Sequence, residues 1–302
     1  MNLSIDFAGL ALRNPVLLAS GTCNYGQELQ GLTDLSRLGG IVTKTITPQP
    51  RAGNRPQRIV ETAAGMLNSI GLQNPGLDDF ITHKWPFLRD LDTPVIVNIA
   101  GHAIEEFGEM AARLEDLDGI AALEVNISCP NVKAGGENFA SNPSASAAVL
   151  EGVRRATRRP IIAKLSPNVT DIAEIARAVE GAGADAVSLI NTLVGMAIDI
   201  DKRRPLLGNI TGGLSGPAIK PVALAMVWKV SRAVQVPIIG LGGISSARDA
   251  LEFIVAGASA VQVGTASFVN PNAGIEIVEG IRNYCAEHDI EQIGDLVGSL
   301  QA

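Results

Sequence analysis

The feature that most constrains the fold is a regular alternation of short apolar runs with longer amphipathic segments. Helical periodicity occupies several of the intervening segments, at residues of about 103–117, 144–157, 170–182, 217–233 and 246–256. The apolar runs number eight and cover residues 15–19, 40–44, 94–99, 122–127, 160–165, 186–190, 236–240 and 260–264. Strands that alternate with helices predict a parallel sheet, since each helix returns the chain to the same edge. Eight such units in 302 residues are typical of α/β proteins that close into a (β/α)8 barrel, the TIM barrel.

An open, doubly wound sheet is the alternative architecture. Such a sheet usually carries a GxGxxG motif after its first strand, whereas here the first run ends in Ala19-Ser20-Gly21-Thr22. The nearest match, Gly240–Ile244, comes late and lacks the last glycine. No linker rich in Pro, Ser or charge divides the chain. We therefore expect residues 1–302 to form a single barrel domain that carries the active site.

Composition and charge exclude several classes of function. Hydrophobic residues make up 46% and charged residues 18% of the chain, as expected for a globular core rather than a disordered segment. The net charge is −7 and no extended basic cluster is present, so the sequence lacks the electrostatic signature of nucleic-acid binding. No apolar stretch reaches the roughly 18 residues of a membrane span.

The cysteines and the N-terminus predict the compartment. The N-terminal residues show no export signal, and Cys23, Cys129 and Cys285 lie far apart. Such spacing predicts neither a disulfide framework nor an iron–sulfur cluster held by this chain, and the three histidines share no metal-ligand spacing. We therefore expect a cytoplasmic protein without a metal site.

Polar side chains occupy the ends of several predicted strands, where the loops of such a barrel build the active site. They are Lys44, Asn98, Asn126, Lys164 and Asn191. A lysine within an apolar strand is costly unless it meets an anion or an acceptor. Two lysines that converge on one barrel mouth therefore predict an anionic or electron-rich ligand. The alternative is that each lysine pairs with a buried carboxylate.

Glycines follow the last two predicted strands. Gly242-Gly243 follows the seventh strand, Gly264-Thr265 follows the eighth, and Ser245-Ser246 starts the helix after the seventh. Barrels often bind phosphate on the backbone N–H groups of these two loops. The pattern predicts a phosphorylated ligand without specifying which one, and ordinary tight turns are the alternative.

Cys129 stands at the predicted mouth of the fourth strand, between Asn126 and Asn131. It opens a polar loop that runs to Pro143. A thiol near two lysines that favour its thiolate can act as a base or a nucleophile, although a lone cysteine often only packs. We interpret Cys23 as structural and Cys285 as a core residue of the last helix.

The motifs in combination are specific, and they extend from the first strand to the last helix. The matching segments are Lys44–Thr45, Gly65–Gly76, Asn126–Lys133, Lys164–Pro167, Ile190–Thr192, Gly242–Ile244 and Gly264–Thr265. In these segments the chain resembles class 1 dihydroorotate dehydrogenases, and more closely their NAD-linked subclass. In that subclass a catalytic subunit works with a separate electron-transfer subunit.

The resemblance implies a flavoenzyme that oxidises (S)-dihydroorotate to orotate in de novo pyrimidine (UMP) biosynthesis, with one FMN per chain. The residues expected to contact FMN are Ser20, Lys44, Thr45, Asn98, Asn126, Lys164, Ile190, Gly216, Gly242, Gly243, Gly264 and Thr265. The residues expected to hold the substrate are Lys44, Asn68, Ser69, Ile70, Gly71, Leu72, Asn126, Asn131, Asn191 and Thr192. Asparagines suit a pyrimidine edge because an amide both donates and accepts hydrogen bonds.

The resemblance also implies roles in the reaction. Cys129 would remove a proton from C5 of dihydroorotate while a hydride leaves C6 for the flavin, and Lys164 would stabilise negative charge on the reduced flavin. The 129–143 loop would act as a lid. Because the chain has no dinucleotide motif, FAD and a 2Fe–2S cluster are expected only on the partner subunit, in a heterotetramer of two catalytic and two electron-transfer chains.

Other functions remain open at this point. The nearest is the fumarate-linked homodimeric subclass, although the continuation Lys133–Glu137 is more similar to the NAD-linked one. A flavin barrel acting on a free pyrimidine base and a phosphate-binding barrel isomerase without flavin are further alternatives. A non-catalytic scaffold would explain none of the polar strand ends. Cysteine rather than serine at position 129 disfavours the membrane-bound, quinone-using class.

Overall fold

Eight parallel strands close into a barrel in the computed structural model, which describes residues 1–127, 133–134 and 137–301. The strands are β1 (Val16–Leu18), β2 (Gly40–Val42), β3 (Val95–Ile99), β4 (Ile120–Asn126), β5 (Ile161–Lys164), β6 (Ala186–Leu189), β7 (Ile238–Leu241) and β8 (Ala260–Val263). Each strand pairs in parallel with its neighbours in chain order, and β8 pairs with β1 to close the ring. The predicted (β/α)8 barrel is confirmed.

Helices connect most of the barrel strands. They are α1 (Leu77–Asp79), α2 (Trp85–Arg89), α3 (Ile104–Glu115), α4 (Pro143–Ala156), α5 (Ile172–Gly181), α6 (Lys220–Ser231), α7 (Ala247–Val255), α8 (Ala266–Val269) and α9 (Ala273–Glu287). A π-helical turn, Phe80–Lys84, joins α1 to α2. The five helices predicted from periodicity are α3 to α7, and their ends agree with the prediction to within three residues. None of the described helices has the length and apolar character needed to span a lipid bilayer.

An apolar layer fills the lower part of the barrel interior. It takes one fully buried side chain from each strand: Leu17, Val42, Ile96, Ala122, Ile162, Ala186, Ile239 and Ala260. An N-terminal hairpin, Ile5–Phe7 paired with Leu10–Leu12, packs Phe7 and Leu12 against this layer. The hairpin thereby closes the amino-terminal end of the barrel with apolar side chains.

An accessory antiparallel sheet lies beyond the carboxyl ends of the barrel strands. Its strands, in spatial order, are Leu193–Met196, Thr211–Ser215, Gly65–Asn68 and Ile59–Thr62, and a short hairpin pairs Ile198–Asp199 with Arg204–Pro205. The sheet therefore joins the loop after β2 to the loop after β6. These strands were not predicted from the sequence, because they are only four or five residues long where they form the sheet and contain several glycines.

Replacement of Phe7 tests the contribution of the hairpin to stability. Phe7 is fully buried against the apolar layer, so we expect Phe7→Ala to lower the free energy of unfolding by about 3–5 kcal/mol. Denaturant unfolding followed by circular dichroism measures this loss. Leu32→Ala is the matched control, because Leu32 is 55% exposed and should change stability little. A similar small effect of both variants would show that the hairpin is dispensable to the core.

Candidate active site

A large pocket opens at the carboxyl ends of the barrel strands, between the barrel and the accessory sheet. Its volume is about 1810 Å³, well above the roughly 300–1,000 Å³ typical of a pocket for one small ligand. Strand ends supply one wall, while Gly65, Asn68, Gly213 and Ser215 of the accessory sheet supply the other. The pocket has room for a cofactor and a substrate together.

A polar layer lies directly above the apolar layer of the barrel. Side chains alternate along a strand, so a residue two positions beyond a member of the apolar layer also faces the interior. Six of the eight residues at these positions are polar: Lys44, Asn98, Glu124, Lys164, Ser188 and Gln262. The interior of the barrel therefore changes from apolar to polar within two residues along most of the strands.

Glu124 is the centre of the polar layer. Its fully buried carboxylate accepts hydrogen bonds from Asn98 Nδ2 at 2.5 Å, Ser188 Oγ at 2.9 Å and Gln262 Nε2 at 3.0 Å. Lys164 Nζ lies 3.8 Å from Glu124 Oε1. A charged hydrogen-bonding environment of this kind is what a buried carboxylate requires. In the described part of the chain, Asn98 Oδ1 and Gln262 Oε1 have no hydrogen-bond partner.

The two predicted lysines meet at this level but differ in their surroundings. Lys164 forms the ion pair with Glu124, so pairing with a buried carboxylate, the alternative considered above, holds for this lysine. Among the described residues, no carboxylate forms an ion pair with Lys44. Burial, and to a smaller extent the charge of Lys164, lower the pKa of Lys44 from 10.5 to about 8. Lys44 is thus a cation available to an anionic ligand.

The loop after β7 brings backbone rather than side chains to the pocket. Gly243 has φ +77°, a conformation that favours glycine, and a Cβ here would lie 2.8 Å from the carbonyl oxygen of Gly216. Behind the loop, Asp249 accepts hydrogen bonds from Ser245 N–H at 3.0 Å and from Lys220 Nζ at 2.6 Å. Burial raises the pKa of Asp249, but these donors outweigh it and lower the value to about 2. The loop is therefore fixed from behind while its glycine face stays open.

The structure brings most of the predicted site residues into one pocket. The predicted residues that line the pocket are Ser20, Lys44, Thr45, Asn68, Ser69, Ile70, Gly71, Leu72, Asn126, Lys164, Ile190, Asn191, Thr192, Gly216, Gly242, Gly243, Gly264 and Thr265. Asn98 is fully buried and lies beneath the lining, bonded to Glu124. Cys129 and Asn131 lie outside the described residues. The roles assigned to all of these residues stay predictions.

Glu124 and Gln262 were not predicted as site residues, although the sequence carries a signal for both. Each stands two residues beyond a buried position of its strand, in the same register as Lys44 and Lys164. Counting in steps of two from the apolar layer would have placed them in the barrel interior. Ser215, whose Oγ accepts a 2.8 Å hydrogen bond from Thr265 Oγ1, could not be found this way because it belongs to the accessory sheet.

A closed parallel barrel with a polar pocket at the carboxyl ends of its strands defines the class of TIM-barrel enzymes. A family model described as dihydroorotate dehydrogenase matches residues 2–284. The chain belongs to the dihydroorotate dehydrogenase family, as the resemblance predicted.

Individual relatives are similar over nearly their whole length. A protein of Trichlorobacter lovleyi is 60% identical over 99% of this chain and 98% of its own. Proteins of Geotalea daltonii and Desulforamulus reducens are each 59% identical, over 99% of this chain and 98% of their own. All three are named dihydroorotate dehydrogenase B (NAD(+)), catalytic subunit. This agrees with the predicted NAD-linked subclass and with an oxidoreductase.

Replacement of Lys44 tests whether its charge is costly in the ligand-free protein. The pKa of Lys44 is lower in the folded state than in the unfolded chain, so the charged form destabilises the fold below about pH 8, by roughly 1–3 kcal/mol. The contribution of Lys44 to the free energy of unfolding should therefore rise between about pH 8 and 10.5, where the unfolded chain still binds the proton, whereas the raised pKa of Cys23 acts in the opposite direction in the wild type and the variant alike. Lys44→Met should be more stable at neutral pH and should lack this rise.

Denaturant titrations of the ligand-free protein at several pH values measure both effects. Lys202→Met is the control, since the Lys202 side chain is 61% exposed and its ion pair with Asp199 affects a carboxyl that titrates far below this range, so the difference between pH 8 and 10.5 should be as in the wild type. Parallel stability profiles for the wild type and Lys44→Met would contradict the prediction.

Proposed function

We propose that this chain is the catalytic subunit of an NAD-linked dihydroorotate dehydrogenase, which uses FMN to oxidise (S)-dihydroorotate to orotate in pyrimidine biosynthesis. The observation that carries the proposal is the convergence of Lys44 and Lys164 at the pocket of a barrel that is 59–60% identical to such catalytic subunits. A pocket with buried cations suits a substrate that carries a carboxylate and a cofactor that gains negative charge on reduction.

The residues present fit FMN. The loop after β7 lines the pocket with backbone and has no room for a side chain at Gly242, since a Cβ there would lie 2.8 Å from the buried Ala223 Cβ. Backbone N–H groups exposed in this way are suited to a phosphate. Gly216, Gly242, Gly243, Gly264 and Thr265 would hold the phosphate. Ser20, Lys44, Thr45, Asn98, Asn126, Lys164 and Ile190 would hold the rest, with Asn98 acting from beneath the lining. When bound, FMN supplies the acceptor for the two electrons of the oxidation.

The substrate would lie between the polar layer and the accessory sheet. Lys44 would bind the carboxylate of dihydroorotate, and the segment from Asn68 through Ser69, Ile70 and Gly71 to Leu72 would cover it. Asn126, Asn191 and Thr192 would meet the pyrimidine edge, with Asn131 as a further candidate. Thr192 N–H donates to Asn191 Oδ1 at 2.8 Å, and Asn68 Nδ2 donates to Gly213 O at 3.3 Å. These contacts orient the amides and limit the entropy lost on binding.

Cys129 would be the base that removes the substrate proton. It lies three residues after Asn126, which is the last residue of β4. The described cysteines suit the role poorly. Cys23 is buried, donates to Val42 O at 3.1 Å, and has a pKa that burial raises to about 12. Burial also raises the pKa of Cys285, which lies in α9.

Electrons would leave through a partner. The relatives are named as catalytic subunits of an enzyme that carries NAD(+) in its name, which implies a second, electron-transfer subunit. We propose that this subunit carries FAD and a 2Fe–2S cluster and that two copies of each chain form a heterotetramer. The cytoplasmic location expected from the cysteine pattern stays a prediction.

An anaerobic absorption experiment tests the proposed function. The purified chain should be yellow, and dihydroorotate should bleach the flavin band. NAD should be reduced only after the electron-transfer subunit is added. Cys129→Ala should keep the flavin while the bleaching slows by about 10²–10⁴-fold, the usual contribution of a general base. Cys285→Ala is the control and should bleach at the wild-type rate.

Three outcomes would contradict parts of the proposal. A colourless chain would exclude FMN, and a flavin that ignores dihydroorotate would exclude the substrate. Oxidation of dihydroorotate by fumarate without a partner would favour the fumarate-linked subclass.

Gly243→Ala tests the phosphate cradle. Alanine at φ +77° is strained, and its Cβ would contact Gly216 O, so FMN should bind at least about tenfold more weakly. Gly294→Ala is the matched control, because a Cβ there has no neighbour within 4 Å. The dissociation constant of FMN, measured by fluorescence titration of the ligand-free proteins, compares the two. Equal affinities would remove Gly243 from the cradle.

A further inference from the structure

The proposed roles of the two lysines leave Glu124 unused, although among the described residues it is the most completely buried charged group near the pocket. Its relative exposure is 0% and it does not line the pocket, whereas Lys164 does. Glu124 therefore reaches a bound ligand through Lys164, whose ammonium group lies 3.8 Å from Glu124 Oε1.

Packing does not account for a carboxylate at this position. An apolar side chain of similar size would avoid the desolvation of a charge, and such replacements of buried ion pairs are often neutral or stabilising. Instead, Asn98 and Gln262 turn their NH2 groups towards Glu124 and leave their own oxygens without partners in the described part of the chain. Ser188 Oγ adds a third donor. The hydrogen-bond donors around Glu124 therefore stabilise a negative charge on its carboxylate.

This negative charge offsets part of the positive charge at the base of the pocket. Lys44 and Lys164 together contribute two positive charges when protonated, and Glu124 contributes one negative charge. In a water-excluded interior, charges a few ångströms apart interact far more strongly than in bulk water. If a cofactor becomes more negative on reduction, its reduction potential depends on the sum of these three charges.

We propose that Glu124 is a positioning residue that holds the Lys164 ammonium group and lowers the net positive charge beside the cofactor, thereby lowering the reduction potential of the bound flavin. The proposal rests on the proposed function, because it requires FMN in the pocket. A lower potential makes the reduced flavin a better donor to the next carrier, at the expense of its reduction by substrate. Glu124 therefore sets the balance between the two halves of the reaction.

Charge-changing variants of the FMN-loaded enzyme test the proposal. Glu124→Gln keeps the shape of the side chain and removes its charge, so the midpoint potential of the flavin should rise. The expected rise is about 30 mV, which for a two-electron couple is a tenfold increase in the ratio of reduced to oxidised flavin at a given potential. Lys164→Gln should lower the potential. The double variant restores the wild-type charge sum and should return the potential towards the wild-type value. Spectroelectrochemical titration measures all of these potentials.

A matched control separates charge near the cofactor from the loss of any ion pair. Glu115→Gln removes a carboxylate that pairs with Arg159 and accepts a hydrogen bond from Thr157 at the end of α3, outside the barrel. It should leave the potential unchanged. Glu124→Asp keeps the charge and should stay closer to the wild-type potential than Glu124→Gln does.

The measured potentials either support or contradict the role proposed for Glu124. A potential that is unchanged or lower in Glu124→Gln overturns the proposal, as does a shift of equal size in Glu115→Gln. If Glu124→Gln does not fold, the comparison of the double variant with Lys164→Gln decides, because loss of the Glu124 charge should raise the potential in that background too. Failure of the proposed function is recognised separately, since the wild type would then hold no flavin or a flavin that dihydroorotate does not reduce.

Discussion

The ion pair of Glu124 and Lys164, with the three hydrogen bonds that Glu124 accepts, is the interaction on which the pocket depends, because it places charge inside a closed barrel. An ionised carboxylate in such a place is costly unless donors and an opposite charge surround it. Three strands besides β4 and β5 provide those donors, through Asn98, Ser188 and Gln262. The apolar layer and the N-terminal hairpin close the barrel below, so the charges interact in a poorly hydrated environment. The polar chemistry at one end therefore relies on apolar packing at the other.

Lys44 shows how this arrangement favours ligand binding over stability. Its positive charge is not matched by an ion pair among the described residues, and burial together with Lys164 lowers its pKa to about 8. A cation held in this state gains more from an anionic ligand than a solvated surface lysine would. Burial shifts the pKa of the nearby Cys23 thiol in the opposite direction and raises it to about 12. Burial thus keeps the Cys23 thiol neutral, while Lys44 is a cation available to an anionic ligand.

The sequence predicted the barrel because its strands and helices are defined by local periodicity. The eight apolar runs and the helices α3 to α7 needed no knowledge of tertiary contacts. The lysines and the glycine loops could be found because such residues are unusual at strand ends. Glu124 was overlooked because its strand, Ala-Ala-Leu-Glu-Val-Asn, was interpreted for its end rather than for its inward face. The accessory sheet could not be predicted, since its middle strands, Thr211–Ser215 and Gly65–Asn68, pair across more than 140 residues of chain.

Close contacts of backbone with backbone connect the proposed substrate and phosphate ends of the pocket. A Cβ on Gly65 would lie 1.9 Å from Ser215 O, and a Cβ on Gly216 would lie 2.6 Å from Gly65 Cα. Gly216 in turn approaches Gly243 in the loop after β7. Only glycine permits such approaches, so the strand that leads into Asn68 is packed against Gly216, and through Gly216 against the loop after β7. Because no flexible side chain lies between them, a shift of the accessory sheet would move both ends together. The position of the proposed substrate segment is therefore set by the same contacts that set the proposed cofactor cradle.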